Sequence, residues 1–173
     1  MNIAEIIKSD ISNGTGIRLS VFVSGCRIRC KGCFQPHTWD FNYGRPYDNN
    51  LHKSLMNELE KPQYTGLSIL GGEPLEPENQ PDVLHLCKRF KEQFPEKTIW
   101  LYTGCEKDTL TTKKTPYYTQ HTDEILSLID VIVTGPYRED QADISLRYRG
   151  SRNQKLYNLK ETRDLKSPTW LIW

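Results

Sequence analysis

Two rhythms of apolar residues alternate along this chain. Short, mostly apolar runs at residues 18–23, 67–70, 99–103 and 131–133 have the length of buried strands. Between them the apolar residues recur every three or four positions. Residues 49–60 carry Leu51, Leu55 and Leu59, and residues 81–94 carry Val83, Cys87, Phe90 and Phe94 on one face. Those spacings predict helices, as does the pattern over 123–129. Pro62 stops the first helix and Pro81 suits the first position of the second. Upstream, residues 3–7 read as a short edge strand. Residues 9–16 read as a loop, because Asp10, Ser12, Asn13, Gly14 and Gly16 are turn residues.

Strand and helix therefore alternate from residue 18 to residue 133, which predicts an α/β fold with a mostly parallel sheet and right-handed crossovers. A closed eight-stranded barrel takes about 250 residues, and this chain has 173, so a partial (β/α) barrel is expected. The length suits a single domain over residues 1–173, with the polar stretch 107–122 as a surface excursion and 158–173 as a C-terminal tail. In that tail Trp170 and Trp173 are candidates to dock on the core or on a partner. Sites in parallel sheets gather at the carboxyl ends of the strands. Residues 26–33, 71–74, Gly104 and Gly135 all follow such ends and are expected to share one face.

Composition narrows the partners. A net charge of +1 gives no support to nucleic-acid binding, and no apolar run has the length of a membrane span. Glu5, Lys8 and Asp10 interrupt the start of the chain where an export signal needs apolar residues. Five unevenly clustered cysteines fit a reducing compartment, so a cytoplasmic protein is expected.

The candidate chemistry lies in Cys26, Cys30 and Cys33, three thiols within eight residues. Three thiolates on one loop make a metal site one ligand short. His37 follows Cys33 by four residues, so a Cys3His zinc site is chemically sensible. An iron–sulfur cubane with one iron open to an exchangeable ligand is the other reading. The position of the triad at the end of the first core strand favours iron–sulfur. Gly71, Gly72, Glu73 and Pro74 read by themselves as a tight turn; functionally, they offer bare backbone and a carboxylate to a cationic amine.

Together, the Cys-x3-Cys-x2-Cys loop and the Gly-Gly-Glu-Pro segment resemble the radical S-adenosylmethionine superfamily. The resemblance implies the partial-barrel fold of that type and a 4Fe–4S cluster on Cys26, Cys30 and Cys33. It also implies that S-adenosylmethionine chelates the open iron while residues 71–74 hold its amine. A closer similarity, to the branch that activates anaerobic ribonucleoside-triphosphate reductase, is carried by residues 13–18, 22–26, 31–34, 38–39, 71–75, 100–104 and 149–154. That branch implies a glycyl radical made on the reductase large subunit, with reduced flavodoxin or ferredoxin as electron donor. The alternatives are another glycyl-radical protein or a small molecule as substrate, and a non-catalytic zinc protein. Gln35 stands where the branch has Asn, Glu73 where Asp is common, and Thr134 where Asp is frequent.

Phe34, His37, Trp39, Phe41 and Tyr43 flank the triad and suit either a cluster cover or partial burial. Arg149 to Gln154 suits an anion, a backbone or a solvated turn. Cys87 reads as core, and Cys105 as a free, partly exposed thiol.

Overall fold

The computed structural model describes residues 1–166 and the backbone of residues 169 and 170. In chain order the elements are β1 (Asn2–Asp10), β2 (Ile17–Val23), β3 (Arg45–Pro46), α1 (Asn49–Leu59), β4 (Tyr64–Gly71) and α2 (Gln80–Gln93). There follow β5 (Thr98–Tyr102), α3 (Lys107–Thr111), α4 (Thr122–Leu128), β6 (Val131–Thr134), β7 (Lys155–Asn158) and β8 (Thr169–Trp170). They form one open sheet in the order β3-β1-β2-β4-β5-β6-β7-β8.

The four central strands β2, β4, β5 and β6 run parallel, each beside its predecessor. The expectation of a mostly parallel sheet is corrected at both ends. Among the described residues, three strand pairings are parallel and four are antiparallel. The cause is local: β1 turns back on β2 through a Gly-rich loop, and β7 returns along β6 after the loop that follows Gly135. Strand β1 is longer than expected and borders β3 and β2. Strand β7 falls in a stretch whose sequence carried no strand signal. Among the described residues no helix is long and apolar enough to cross a membrane. The expectation for Trp173 and for the Trp170 side chain lies outside the described residues.

The sheet register explains which face does what. Leu19, Leu67 and Ile99 are aligned across three strands, as are Val21, Ile69, Leu101 and Ile132 on four. These residues pack against Leu55 and Leu59 of α1, Val83, Leu86 and Phe90 of α2, and Ile125 of α4. The Asp48 side chain caps α1 by accepting the Leu51 N–H at 2.7 Å. The opposite face carries Ser20, Ser68 and Trp100 in register, with Arg18 beneath them. Arg18 is fully buried. Its guanidinium donates to Ser68 Oγ, Thr98 Oγ1 and the carbonyls of Thr15, Leu67 and Thr98. Asp10 accepts from Ser20 Oγ, Asn13 Nδ2 and the Ser12 N–H, so the loop before β2 closes the amino end of this polar face.

Segment 107–122 is more than a surface excursion. Its α3 buries Leu110 completely, Tyr117 packs on the core, and Gln80 Nε2 donates to the Tyr117 carbonyl at 2.8 Å. The loops that follow the carboxyl ends of β2, β4, β5 and β6 come together along one edge of the sheet.

Candidate metal centre

At that edge lies a cavity of about 400 Å³ whose wall includes Cys26, Cys30, Cys33, Gly71, Gly72, Glu73, Tyr102, Thr103, Gly104 and Gly135. All three thiols are unpaired by disulfide; Cys26 is buried and the other two are half-buried. The loop that carries them leaves β2 through Gly25 at φ +95°, where a side chain would meet the Phe41 ring. The backbone is then tied down twice, as the Gly25 N–H donates to the Thr38 carbonyl at 2.8 Å and the Cys26 N–H to the Trp39 carbonyl at 3.2 Å. Arg29 and Gly32 both take positive φ, which coils the loop so that it returns its thiols to one cavity.

Burial pushes the Cys26 thiol up to about 11, against donation from the Arg29 and Ile28 N–H groups. Burial also raises the Cys30 thiol, against donation from the Tyr137 N–H. Metal binding displaces such protons. Among the described residues, no three His, Cys, Asp or Glu side chains converge as one ion would require. A cubane distributes its thiolates over separate irons and does not ask for that convergence. His37 is exposed and its ring lies 4.8 Å from that of Tyr43, off the cavity wall.

The Gly-Gly-Glu-Pro turn lies directly against this loop. The Gly72 N–H donates to the Val23 carbonyl at 2.7 Å, and the Glu73 N–H to the Gly25 carbonyl at 2.8 Å. A Cβ on Gly71 would meet Val23 backbone at 2.7 Å, and one on Gly72 the Gly25 carbonyl at 2.7 Å. The glycines thus serve close approach of two backbones, in addition to lining the cavity. Glu73 is fully buried, and its carboxylate accepts from the Leu75 N–H, Thr103 Oγ1 and the Gly104 N–H, each at 2.8 Å. Burial still raises its pKa to about 7, those hydrogen bonds acting in the opposite direction. Pro74 is buried behind the turn and does not line the cavity.

Gln154, from the segment singled out in the sequence, lines the wall together with Asn13, Tyr102 and Tyr137, which the sequence had not marked as site residues. Among the described residues the Tyr102 hydroxyl and Gln35 Oε1, both on this wall, are buried without a partner. Tyr102 was findable: it shares the face of Trp100 two residues earlier and sits two residues before Gly104. Of the flanking aromatics, Phe34 and Trp39 reach the cavity, the Phe34 ring lying 4.9 Å from that of Tyr137 and tilted 52° to it. Residues 149–154 turn inward on themselves: Gln154 Oε1 accepts the Gly150 and Ser151 N–H groups, and Arg149 donates to the Gln154 carbonyl. Gln154 Nε2 and Asn153 Nδ2 donate to the Gly135 and Pro136 carbonyls, so the segment props the loop after β6. Cys87 is in the core as expected. Cys105 is buried too, where a partly exposed thiol was expected, because it packs within the main hydrophobic core.

Comparison with known proteins bears on this site. A family described as "4Fe-4S single cluster domain" matches residues 12–157. The anaerobic ribonucleoside-triphosphate reductase-activating protein of Escherichia coli K12 is 36% identical over 162 residues, covering 92% of this chain and all of its own length. The protein of that name from Pasteurella multocida is 35% identical over 168 residues, covering 93% of this chain and 99% of its own. The one from Enterobacteria phage T4 is 35% identical over 158 residues, covering 91% and 94%.

Proposed function

The chain belongs to the family of anaerobic ribonucleoside-triphosphate reductase-activating proteins and carries its 4Fe-4S domain, and from that premise we propose that it is a radical S-adenosylmethionine activase acting on the reductase large subunit. The observation that carries the reading is the convergence of three unpaired thiols and the Gly71 to Glu73 turn on one cavity. We read the open sheet as a partial barrel whose cavity lies at the carboxyl ends of its strands, in a protein of the cytosol.

The donor set fits the groups. Cys26, Cys30 and Cys33 would hold three irons of a cubane and leave the fourth to the amine and carboxylate of S-adenosylmethionine. Tyr102 Oη and Gln35 Oε1 line the same wall, buried and without partners among the described residues, and buried polar groups ordinarily have partners. When bound, the cluster and S-adenosylmethionine supply one-electron cleavage of the sulfonium to methionine and a 5′-deoxyadenosyl radical, which abstracts a hydrogen atom from a glycine of the reductase. A reduced flavodoxin or ferredoxin is the electron source in this reading.

The chain's own residues bind, orient and shield. The carbonyls at the end of β4 and the buried Glu73 carboxylate offer acceptors to the cofactor's amine. Glu73 also fixes the loops after β4 and β5 relative to one another through the Gly104 N–H. Phe22, Ile28 and Leu70 give the wall apolar cover that limits water. Phe34 and Tyr137 stand at the rim, where a partner's loop must enter.

The test is anaerobic reconstitution with iron and sulfide, followed by dithionite and S-adenosylmethionine, with chromatographic detection of 5′-deoxyadenosine. Product that requires both cluster and reductant is expected. Zinc bound without sulfide, and no product, would overturn the reading. Adding the reductase large subunit and recording its glycyl radical by electron paramagnetic resonance tests the partner.

A further inference from the structure

Arg27, between the first two cysteines of the triad, forms an ion pair with Glu76 that the proposed chemistry does not use. Glu76 follows the Gly-Gly-Glu-Pro turn and its side chain is 1% exposed. Its Oε1 accepts the backbone N–H of Arg27 at 2.6 Å, and its Oε2 accepts from the Arg27 guanidinium at 2.5 Å. One carboxylate therefore holds both the main chain and the side chain of the residue that follows Cys26.

Neighbouring contacts fix the geometry further. The guanidinium also reaches Glu78, and it lies 4.5 Å above the Phe41 ring. Asn79 Nδ2 donates to the Ser24 carbonyl at 2.9 Å and the Glu73 carbonyl at 3.0 Å. Residues 73–79 thus grip residues 24–27 from one side. A charge-assisted pair of this kind is stronger than a neutral hydrogen bond and specifies direction.

We propose that Glu76 and Arg27 are positioning residues for the metal centre, a clamp that orients the Cys26 segment and places a buried carboxylate where its charge sets the potential and retention of the cluster. The inference rests on the cluster reading of Cys26, Cys30 and Cys33. The physical basis is general: cluster potential responds to nearby charge and hydrogen bonding, and groups that orient ligands govern how well the metal is kept. The Glu76 carboxylate offsets the Arg27 guanidinium beside Cys26, and without it the less balanced positive charge would favour an added electron.

The test uses the reconstituted full chain with three variants, Glu76→Gln, Arg27→Met and Arg27→Lys. Reduction potential is read by redox titration followed by electron paramagnetic resonance, and cluster retention by iron release to a chelator. Glu76→Gln keeps an acceptor for the Arg27 N–H and removes the charge, so it should raise the potential. Arg27→Met should release iron roughly 10-fold faster than the parent, on the usual scale for lost ligand-orienting contacts. Arg27→Lys keeps the charge and should bring release back toward the parent. A parent potential in Glu76→Gln overturns the proposal, even with faster release, since loosened packing alone gives that. Parent release rates in Arg27→Met overturn it as well. A parent chain that takes up no cluster overturns the site reading, and the clamp with it.

Discussion

Glu73 Oε2 accepts the backbone N–H of Gly104 at 2.8 Å, which joins the turn after β4 to the turn after β5. The other oxygen of the same carboxylate accepts from Thr103 and Leu75. One fully buried side chain therefore sets the spacing of two walls of the cavity.

Replacing Glu73 by Ala leaves these donors without partners. Each buried orphan costs roughly 1–3 kcal/mol, so a loss of about 3 kcal/mol of stability or more is expected by denaturant titration. S-adenosylmethionine affinity should fall, while iron and sulfide content after reconstitution stays near the parent value. Parent affinity in a calorimetric titration would remove Glu73 from the site.

The cysteine assignment separates from the histidine one. Cys30→Ala should abolish the visible iron–sulfur absorption and leave the far-ultraviolet circular dichroism unchanged, since Cys30 is half-buried in a loop. His37→Ala should leave the absorption intact, because His37 is exposed and rests on Tyr43. Loss of metal in His37→Ala would return the zinc reading to first place.

The site was legible where chemistry and backbone coincide. Cys26, Cys30 and Cys33 sit at fixed short spacing after a recognisable strand, and Gly71-Gly72 follows another, so alternation alone put them on one edge. Strand β7 was not legible, because Lys155–Asn158 is short and is made a strand by pairing with β6 rather than by its own pattern. The partnership of Arg27 with Glu76 was equally hidden, since the two are 49 residues apart and only the fold brings them together. In the sequence Gly72 offers room for a ligand. Its neighbours show that backbone approach already requires it.

That approach gives a prediction. Gly71 has φ +108° and a Cβ there would lie 2.7 Å from both Val23 N and Val23 O, backbone atoms in the adjacent strand. Gly71→Ala combines an unfavourable backbone conformation with overpacking, each on the order of 1–3 kcal/mol. A fall in the urea midpoint, with weaker cofactor binding, is the expected result. A midpoint equal to the parent's would show that β2 and β4 can part without cost.

Arg18 gives a stability test away from the cavity. Burial lowers its guanidinium to about 10, and five hydrogen bonds hold it in place. Lysine has three donors and no planar fork, so Arg18→Lys strands acceptors at Leu67, Thr98 or Thr15. A loss of about 3 kcal/mol is expected, on the scale of removing partners from a buried charged network. Cluster content in the folded fraction should not change.

Asp10 makes the same polar face sensitive to acid. Burial raises its carboxyl pKa, but the hydrogen bonds from Ser20, Ser12 and Asn13 outweigh it and leave the value below the ordinary 3.8. A carboxyl with a lower pKa in the folded chain contributes stability that is complete above its unfolded value. That contribution disappears as pH falls through the folded one, because the unfolded chain takes up the proton first. The urea midpoint of the metal-free protein should therefore fall as pH drops below about 4, the ordinary carboxyl range. Asp10→Asn should be less stable at pH 6 and should show a shallower fall between pH 5 and pH 3. Equal slopes in the two proteins would mean that the acid sensitivity arises elsewhere, and that the closure of the loop before β2 does not depend on the Asp10 charge.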